Sequence, residues 1–240
     1  MITLKMNEVH IWQVSPHIIL DEKQLISLKK LLPQDELKKI EKYRFEKGKR
    51  SALITRVLAR LVLAKYENVL PQSLSFTRSE LGKPELQGSL QSLRFNLSHN
   101  DNLIICAVCL AHNIGCDVEN VDRNIGVVDI ATRFFSPSEG VDIVKHPIEN
   151  QSKRFFEIWT LKEAFVKATG KGISQGLDSF SFKLHDNKKI ELISPEPRYQ
   201  NKNWQHALIM ADEKLCIAVS VETAQPIDIK MKQLVIESRE

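Results

Sequence analysis

The stretch Lys153 to Thr169 constrains the fold more than any other part of this chain, because it has helical spacing and is apolar nearly all the way round. Successive helical residues turn by about 100°, which sends Ile158, Leu161, Ala164, Phe165 and Ala168 to different sides while Glu163 projects between Phe156 and Trp159. Such a helix is buried, so its charges need partners. Exposed to solvent, Glu163 and Lys167 would form only an i,i+4 ion pair worth about 0.2–0.5 kcal/mol. On a buried helix, a metal ion would serve the acid and phosphates would serve the ammonium.

A second acidic signal lies upstream, in Gly115-Cys-Asp-Val-Glu119. Strand side chains alternate, so Asp117 and Glu119 point to one side. With Glu163 arriving from the helix, three carboxylates form a set of hard oxygen ligands of the kind that suits Mg²⁺ shared with a phosphate substrate. Taken alone, an acid-x-acid string is an ordinary solvated strand end.

Around these motifs the pattern predicts a strand over Val9–Val14 and helices over Asp21–Leu32, Asp35–Tyr43 and Lys47–Tyr66. Pro71, Gly82, Pro84 and Gly88 then break the chain into short strands and turns. Arg94–Ser98 reads as a strand. Leu103–Ala111 and Ile114–Glu119 read as a hairpin whose first strand is buried on both faces. Helices are predicted near Val127–Phe135 and Pro137–Val144, the latter with a hydroxyl cap, proline and glutamate in Ser136-Pro-Ser-Glu139. Beyond Gly170 and Gly172, strands are expected at Ser179–Leu184, Lys189–Ile193, Gln205–Met210 and Leu215–Val221. The repeated order, with Arg-Phe pairs at 44–45, 133–134 and 154–155, suggests an α+β duplication: halves at 1–111 and 112–222, then a tail at 223–240 that reads as a final strand, an interface or a loose end.

Length and composition agree with a globular reading: 240 residues, 42% hydrophobic and 27% charged, with no apolar run near the roughly 20 residues of a membrane span. No export signal is visible at the N-terminus, and Cys106, Cys109, Cys116 and Cys216 read as core thiols of a reducing compartment, so a cytoplasmic location is expected. Cys106-x-x-Cys109 lacks the second pair that a zinc site needs. Ser98 and His99 are adjacent on a strand and point to opposite faces, which argues against a serine hydrolase. The net charge is only +4, but Lys38 to Arg60 concentrates nine lysines and arginines. That run is a solvated helical face, a landing site for phosphates or an acidic protein, or the contact of a nucleic-acid-binding module. The last leaves the acids at 117, 119 and 163 without a purpose.

Gly82-Lys-Pro84, Phe95-Asn-Leu-Ser-His99, Gly115-x-Asp-x-Glu119, Arg133-Phe-Phe-Ser136 and Trp159-x-x-Lys-Glu-Ala-x-x-Lys167 followed by Gly170-Lys-Gly172 stand in this order. Together they resemble the Sfp-type 4′-phosphopantetheinyl transferases from about Val9 to Val221. The resemblance implies a monomer of two pseudo-twofold-related α+β halves with the active site at their interface. It implies transfer of the phosphopantetheine arm of coenzyme A to a serine of an apo acyl or peptidyl carrier protein, leaving adenosine 3′,5′-bisphosphate, with no nucleic acid or membrane partner. By motif position, Asp117, Glu119 and Glu163 would hold Mg²⁺, Glu163 would serve as the base and Lys167 would stabilise the departing phosphate. Lys83, Ser98 and His99 match cofactor-gripping positions, with Arg44, Lys49, Arg50 and Lys162 as further cofactor-binding candidates, while Arg56 and Arg60 fit structural roles. Asn100 departs from the pattern, since many relatives place serine there. The segment Val121 to Val128, with Ile125, Val127 and Val128, is an expected apolar contact for the carrier.

Overall fold

The computed structural model describes residues 2–18, 20–88, 92–123, 125–172, 175–199 and 203–236. Its contacts divide the chain into two compact units, one made of Met1–Arg78, Pro84–Ala111 and Asp228–Glu240, the other of Ser79–Lys83 and His112–Ile227.

The first unit has a four-stranded sheet in the order β11-β1-β5-β4, with β1 at Glu8–Val14, β4 at Leu93–His99, β5 at Ile104–Leu110 and β11 at Asp228–Gln233. β1 runs parallel to β11 and antiparallel to β5, and β5 is antiparallel to β4. Three helices, α1 (Glu22–Lys29), α2 (Gln34–Glu41) and α3 (Glu46–Glu67), follow β1. A capping box between Asp21 and Gln24 starts α1. The stripe Leu53, Ile54, Val57, Leu58 and Val62 of α3 packs in one core with Ile104, Cys106 and Val108 of β5. A small hairpin of β2 (Phe76–Arg78) and β3 (Pro84–Leu86) precedes β4.

In the second unit the sheet order is β6-β10-β9, antiparallel throughout, with β6 at Ile114–Asn120, β9 at Gln205–Met210 and β10 at Leu215–Val221. Helices α4 (Val127–Phe134), α5 (Pro137–Lys145) and α6 (Ile148–Thr169) follow β6, and β7 (Ser181–Leu184) pairs with β8 (Ile190–Ile193). The Ser136–Glu139 capping box forms as the sequence predicts, and Gly170 closes α6 with a left-handed φ of 70°. Helix α6 is indeed buried on several sides, with Ile158, Leu161, Ala164, Phe165 and Ala168 all enclosed. It starts at Ile148, a turn before the expected Lys153, because its polar first turn carries no apolar stripe to reveal it.

The two units share one order: a strand, three helices, a two-stranded hairpin and a closing antiparallel pair. In both sheets the opening strand pairs with the final member of that pair, giving β1-β5-β4 and β6-β10-β9. One sequence expectation needs correction. Strands β5 and β6 do not form a hairpin: β1 and β4 occupy both edges of β5, and β6 pairs with β10. Of the three readings of the tail, the final strand is the one observed at 228–233, where Asp228–Gln233 forms β11 on the free edge of β1.

Candidate active site

The site is built where β6 meets α6. An added Cβ at Gly115 would collide with the carbonyl oxygen of Ala164, the nitrogen of Ala168 and the carbonyl carbon of Lys167. Only glycine lets the strand backbone approach the helix this closely. Two residues on, with the same facing, Asp117 is buried on β6, and its Oδ1 accepts a 2.6 Å hydrogen bond from Lys167 Nζ. Glu163 stands one turn before Lys167 on α6, and Glu119 follows Asp117 on the same strand face.

The electrostatics mark one cluster. Burial pushes the Glu163 carboxyl above its ordinary range, and the charge of Asp117 adds to the effect, while Lys167 partly offsets it. Glu119 is raised in the same way, by burial and then by Asp117, with Arg123 opposing from 3.2 Å. Burial disfavours the Lys167 ammonium, yet Asp117 and its neighbours outweigh this and hold its pKa above normal. Glu119 and Glu163 both feel the charge of the buried Asp117, and these three carboxyls are a donor set of the kind that suits a hard divalent cation. Their present conformation is a cluster rather than a finished cage: among the described residues, no group of three or more His, Cys, Asp or Glu side chains is arranged to hold a metal.

Lys83 converges on the same point, with its ammonium donating to the carbonyls of Ile114 at 2.8 Å and Ala168 at 3.4 Å. These flank Gly115 and Lys167 in the chain. The other predicted phosphate residues belong to the first unit. Ser98 is buried and His99 exposed at the end of β4. Nearby, Lys47 pairs with Asp101 at 2.8 Å, joining the start of α3 to the turn after β4. Arg50 donates to the carbonyls of Pro16 and Ile18 and thereby straps the loop after β1. Lys49 is engaged by Glu46 at 2.9 Å and Glu41 at 3.4 Å, and Arg44 lies over the ring of exposed Phe45.

Lys162 is a correction. Its side chain is 0% exposed and its ammonium is spent on Glu139 Oε2 at 2.8 Å and the carbonyls of Leu177 and Phe180, so it is enclosed away from any cofactor phosphate. The sequence reading treated Glu139 only as a helix start, although a lysine on an all-apolar helix signals a buried acid somewhere. Arg60 has the structural role expected of it, bonded to Glu36 and to the carbonyls of Pro71 and Leu74. Next to the acid cluster in the chain, a groove of about 460 Å³ is lined by Arg123, Ile125, Val127, Val128, Ile148 and neighbouring residues. Ile125 and Ile148 are exposed there, whereas Val127 belongs to the core.

Both parts of the chain match known families. Residues 113–220 fit the model of the 4′-phosphopantetheinyl transferase superfamily, and residues 20–111 fit that of the 4′-phosphopantetheinyl transferase N-terminal region. One match falls in each unit, which defines a two-part transferase. A Bacillus subtilis 4′-phosphopantetheinyl transferase is 33% identical over 79% of this chain and 86% of its own length. The 4′-phosphopantetheinyl transferase HetI of Nostoc sp. is 36% identical over 92% and 90%, and Sfp of Bacillus subtilis strain 168 is 32% identical over 68% and 70%. A holo-(acyl-carrier-protein) synthase from Bacillus anthracis, solved with coenzyme A, gives a TM-score of 0.40 at 19% identity over 46% of this chain and 96% of that one. The chain belongs to the 4′-phosphopantetheinyl transferase family.

Proposed function

We propose that this chain transfers the 4′-phosphopantetheine arm of coenzyme A to a serine hydroxyl of an apo acyl or peptidyl carrier protein and releases adenosine 3′,5′-bisphosphate. The observation that carries the reading is the Asp117–Lys167 contact, with Glu163 and Glu119 raised around it, in a chain whose relatives are named for this transfer. The serine oxygen forms a bond to the phosphorus that carries the pantetheine arm, and the bond from that phosphorus to the bridging oxygen breaks, leaving the second phosphate on the adenosine product. Glu163, with a carboxylate made more basic by burial and Asp117, accepts the serine proton directly or through a water. Lys167, held charged by Asp117, donates to the departing phosphate oxygen. Asp117, Glu119 and Glu163 would hold Mg²⁺. When bound, the ion neutralises charge building on the phosphates. Lys83 of the second unit and Ser98, His99, Arg44, Lys49 and Arg50 of the first are the proposed cofactor-binding residues.

A nucleic-acid partner is not part of this reading. Within the basic segment, Lys39 pairs with Asp35, Lys47 with Asp101, Lys49 with Glu41 and Glu46, and Arg60 with Glu36, which is the pattern of a locally balanced helical face. A monomeric state and a cytoplasmic location are proposed with it, supported by four buried cysteine thiols; among the described residues no helix is long and apolar enough to cross a membrane. Intact-protein mass spectrometry of an apo carrier with coenzyme A and Mg²⁺ tests the function, with a gain of one phosphopantetheine expected. Loss of that gain from the wild-type chain with all of the fatty-acid, polyketide and peptide carriers would refute it. The carrier is proposed to dock on the groove at Ile125 and Ile148. Ile125→Ser should raise the carrier KM about tenfold while calorimetry finds coenzyme A affinity unchanged.

A further inference from the structure

Glu139 and Lys162 form a closed electrostatic joint in the interior of the second unit. Lys162 has three N–H donors and three acceptors: Glu139 Oε2 at 2.8 Å, Leu177 O at 2.7 Å and Phe180 O at 2.6 Å. Glu139 is 1% exposed and equally occupied, since Oε1 accepts from Phe182 N–H at 2.8 Å and Oε2 from the N–H and hydroxyl of Ser136. One ion pair thus ties α6 to the start of α5, to the 177–180 turn and to β7. The first unit contains the same joint. Arg60 is bonded to Glu36 at 2.8 Å and to the carbonyls of Pro71 and Leu74 beyond its helix. Arg60 and Lys162 each occupy the fifteenth position of a 22-residue helix, and Glu36 and Glu139 each occupy the third position of the helix before it.

A buried ion pair is weak support for stability, because an apolar pair of the same volume often serves as well. What it supplies is direction. An ammonium whose three hydrogens meet three fixed acceptors sets the rotation of α6 about its own axis at residue 162. Glu163 is the next residue, and Lys167 lies about 40° from Glu163 around the helix. Gly115 fixes how closely α6 approaches β6, and the Lys162 joint fixes which way the helix faces while it does so. We propose that Glu139 and Lys162 are positioning residues for the transfer reaction: they set the rotation of α6 that presents Glu163 and Lys167 to Asp117, a use that the matching Arg60–Glu36 joint of the first unit does not have. This inference rests on the transfer function proposed above.

The test compares Glu139→Gln/Lys162→Met with Glu36→Gln/Arg60→Met in the full chain, both charge-neutral and near in volume. Folded fraction is read by circular dichroism, coenzyme A affinity by calorimetry, and kcat and carrier KM per folded molecule by carrier loading. The first double variant should lose on the order of 10²-fold in kcat while carrier KM and coenzyme A affinity stay within about threefold of wild type. The second should change thermal stability alone. Should the first double variant fail to fold, Glu139→Gln alone, which keeps the shape and an acceptor for Phe182, should show the same split at about tenfold. A kcat per folded molecule within about threefold of wild type in whichever of these variants folds, or an equal kcat loss in both double variants, overturns the inference. Wild-type protein that loads no carrier would instead remove the transfer function and the inference together, so the two failures are distinct.

Discussion

Strands β1 and β6 open two units of the same topology, yet the fourth residue of β1 is Ile11, wholly buried, and the fourth residue of β6 is Asp117. The second residues differ as well, Val9 against Gly115. In the first unit every position of the opening strand keeps its side chain, and Trp12 and Val14 pack into the core shared with α3. In the second the side chain at residue 115 is gone, the helix backbone closes in, and the freed position along the strand carries an acid that meets Lys167. The same scaffold therefore serves once as a core and once as the candidate site, and the change is concentrated where β6 faces α6. The joints between the second and third helices, Arg60–Glu36 and Lys162–Glu139, are retained in both.

Exchanging the strand positions should separate the two roles most sharply. Asp117→Ala is expected to lower kcat by about 10³-fold or more with little change in melting temperature, whereas Ile11→Ala should cost about 2–5 kcal/mol of stability and leave kcat per folded molecule intact. Carrier loading together with thermal melts checks both halves, and equal activity losses would erase the contrast. Next in size is Gly115→Ala. The added methyl meets backbone rather than a flexible side-chain tip, so a loss of about 1–3 kcal/mol is expected from denaturant melts.

The smallest effect uses the buried histidines. Burial, and then the charge of Lys232, lowers the pKa of His10 in the first unit, and Glu8 at 3.5 Å only partly opposes this. His206 of the second unit bonds Ser220 at 2.9 Å, and burial pulls its pKa down to about 3. Because the folded value lies below the unfolded one of 6.5, the unfolded chain takes up a proton as pH falls below 6.5 while the native state does not. Stability should fall from there toward pH 3. His206→Phe should remove on the order of 1–2 kcal/mol of the difference in stability between pH 7 and pH 5, measured by urea melts at both pH values. An unchanged difference would assign the acid sensitivity elsewhere.

Much of the site could be read from local spacing. Period two places Asp117 and Glu119 on one strand face, and period four places Glu163 and Lys167 on one helix face, so each pair was visible without a structure. The box at Ser136–Glu139 was visible for the same reason, since its partners lie three residues apart. What failed was non-local. The apolar runs at 104–110 and 114–118 look like neighbours in a hairpin, but strand partners are chosen by edges that the sequence does not display, and β1 had already taken the edge of β5. Lys162 reads as a cofactor ligand because it adjoins Glu163 and Lys167, the residues proposed for the chemistry; one residue is 100° of helix, enough to send it into the opposite core. The destination of residues 228–233 was hidden as well, since an alternating run with lysines suits any exposed sheet edge.

That edge has a consequence for biosynthesis. The sheet opened by Glu8–Val14 is extended by Asp228–Gln233 only after residues 112–227 have been made. A ribosome delivering the chain in order would release every strand and helix of the second unit before the segment that flanks β1 emerged. The half that carries Asp117 can thus mature as an insertion, while its sibling waits with an open flank.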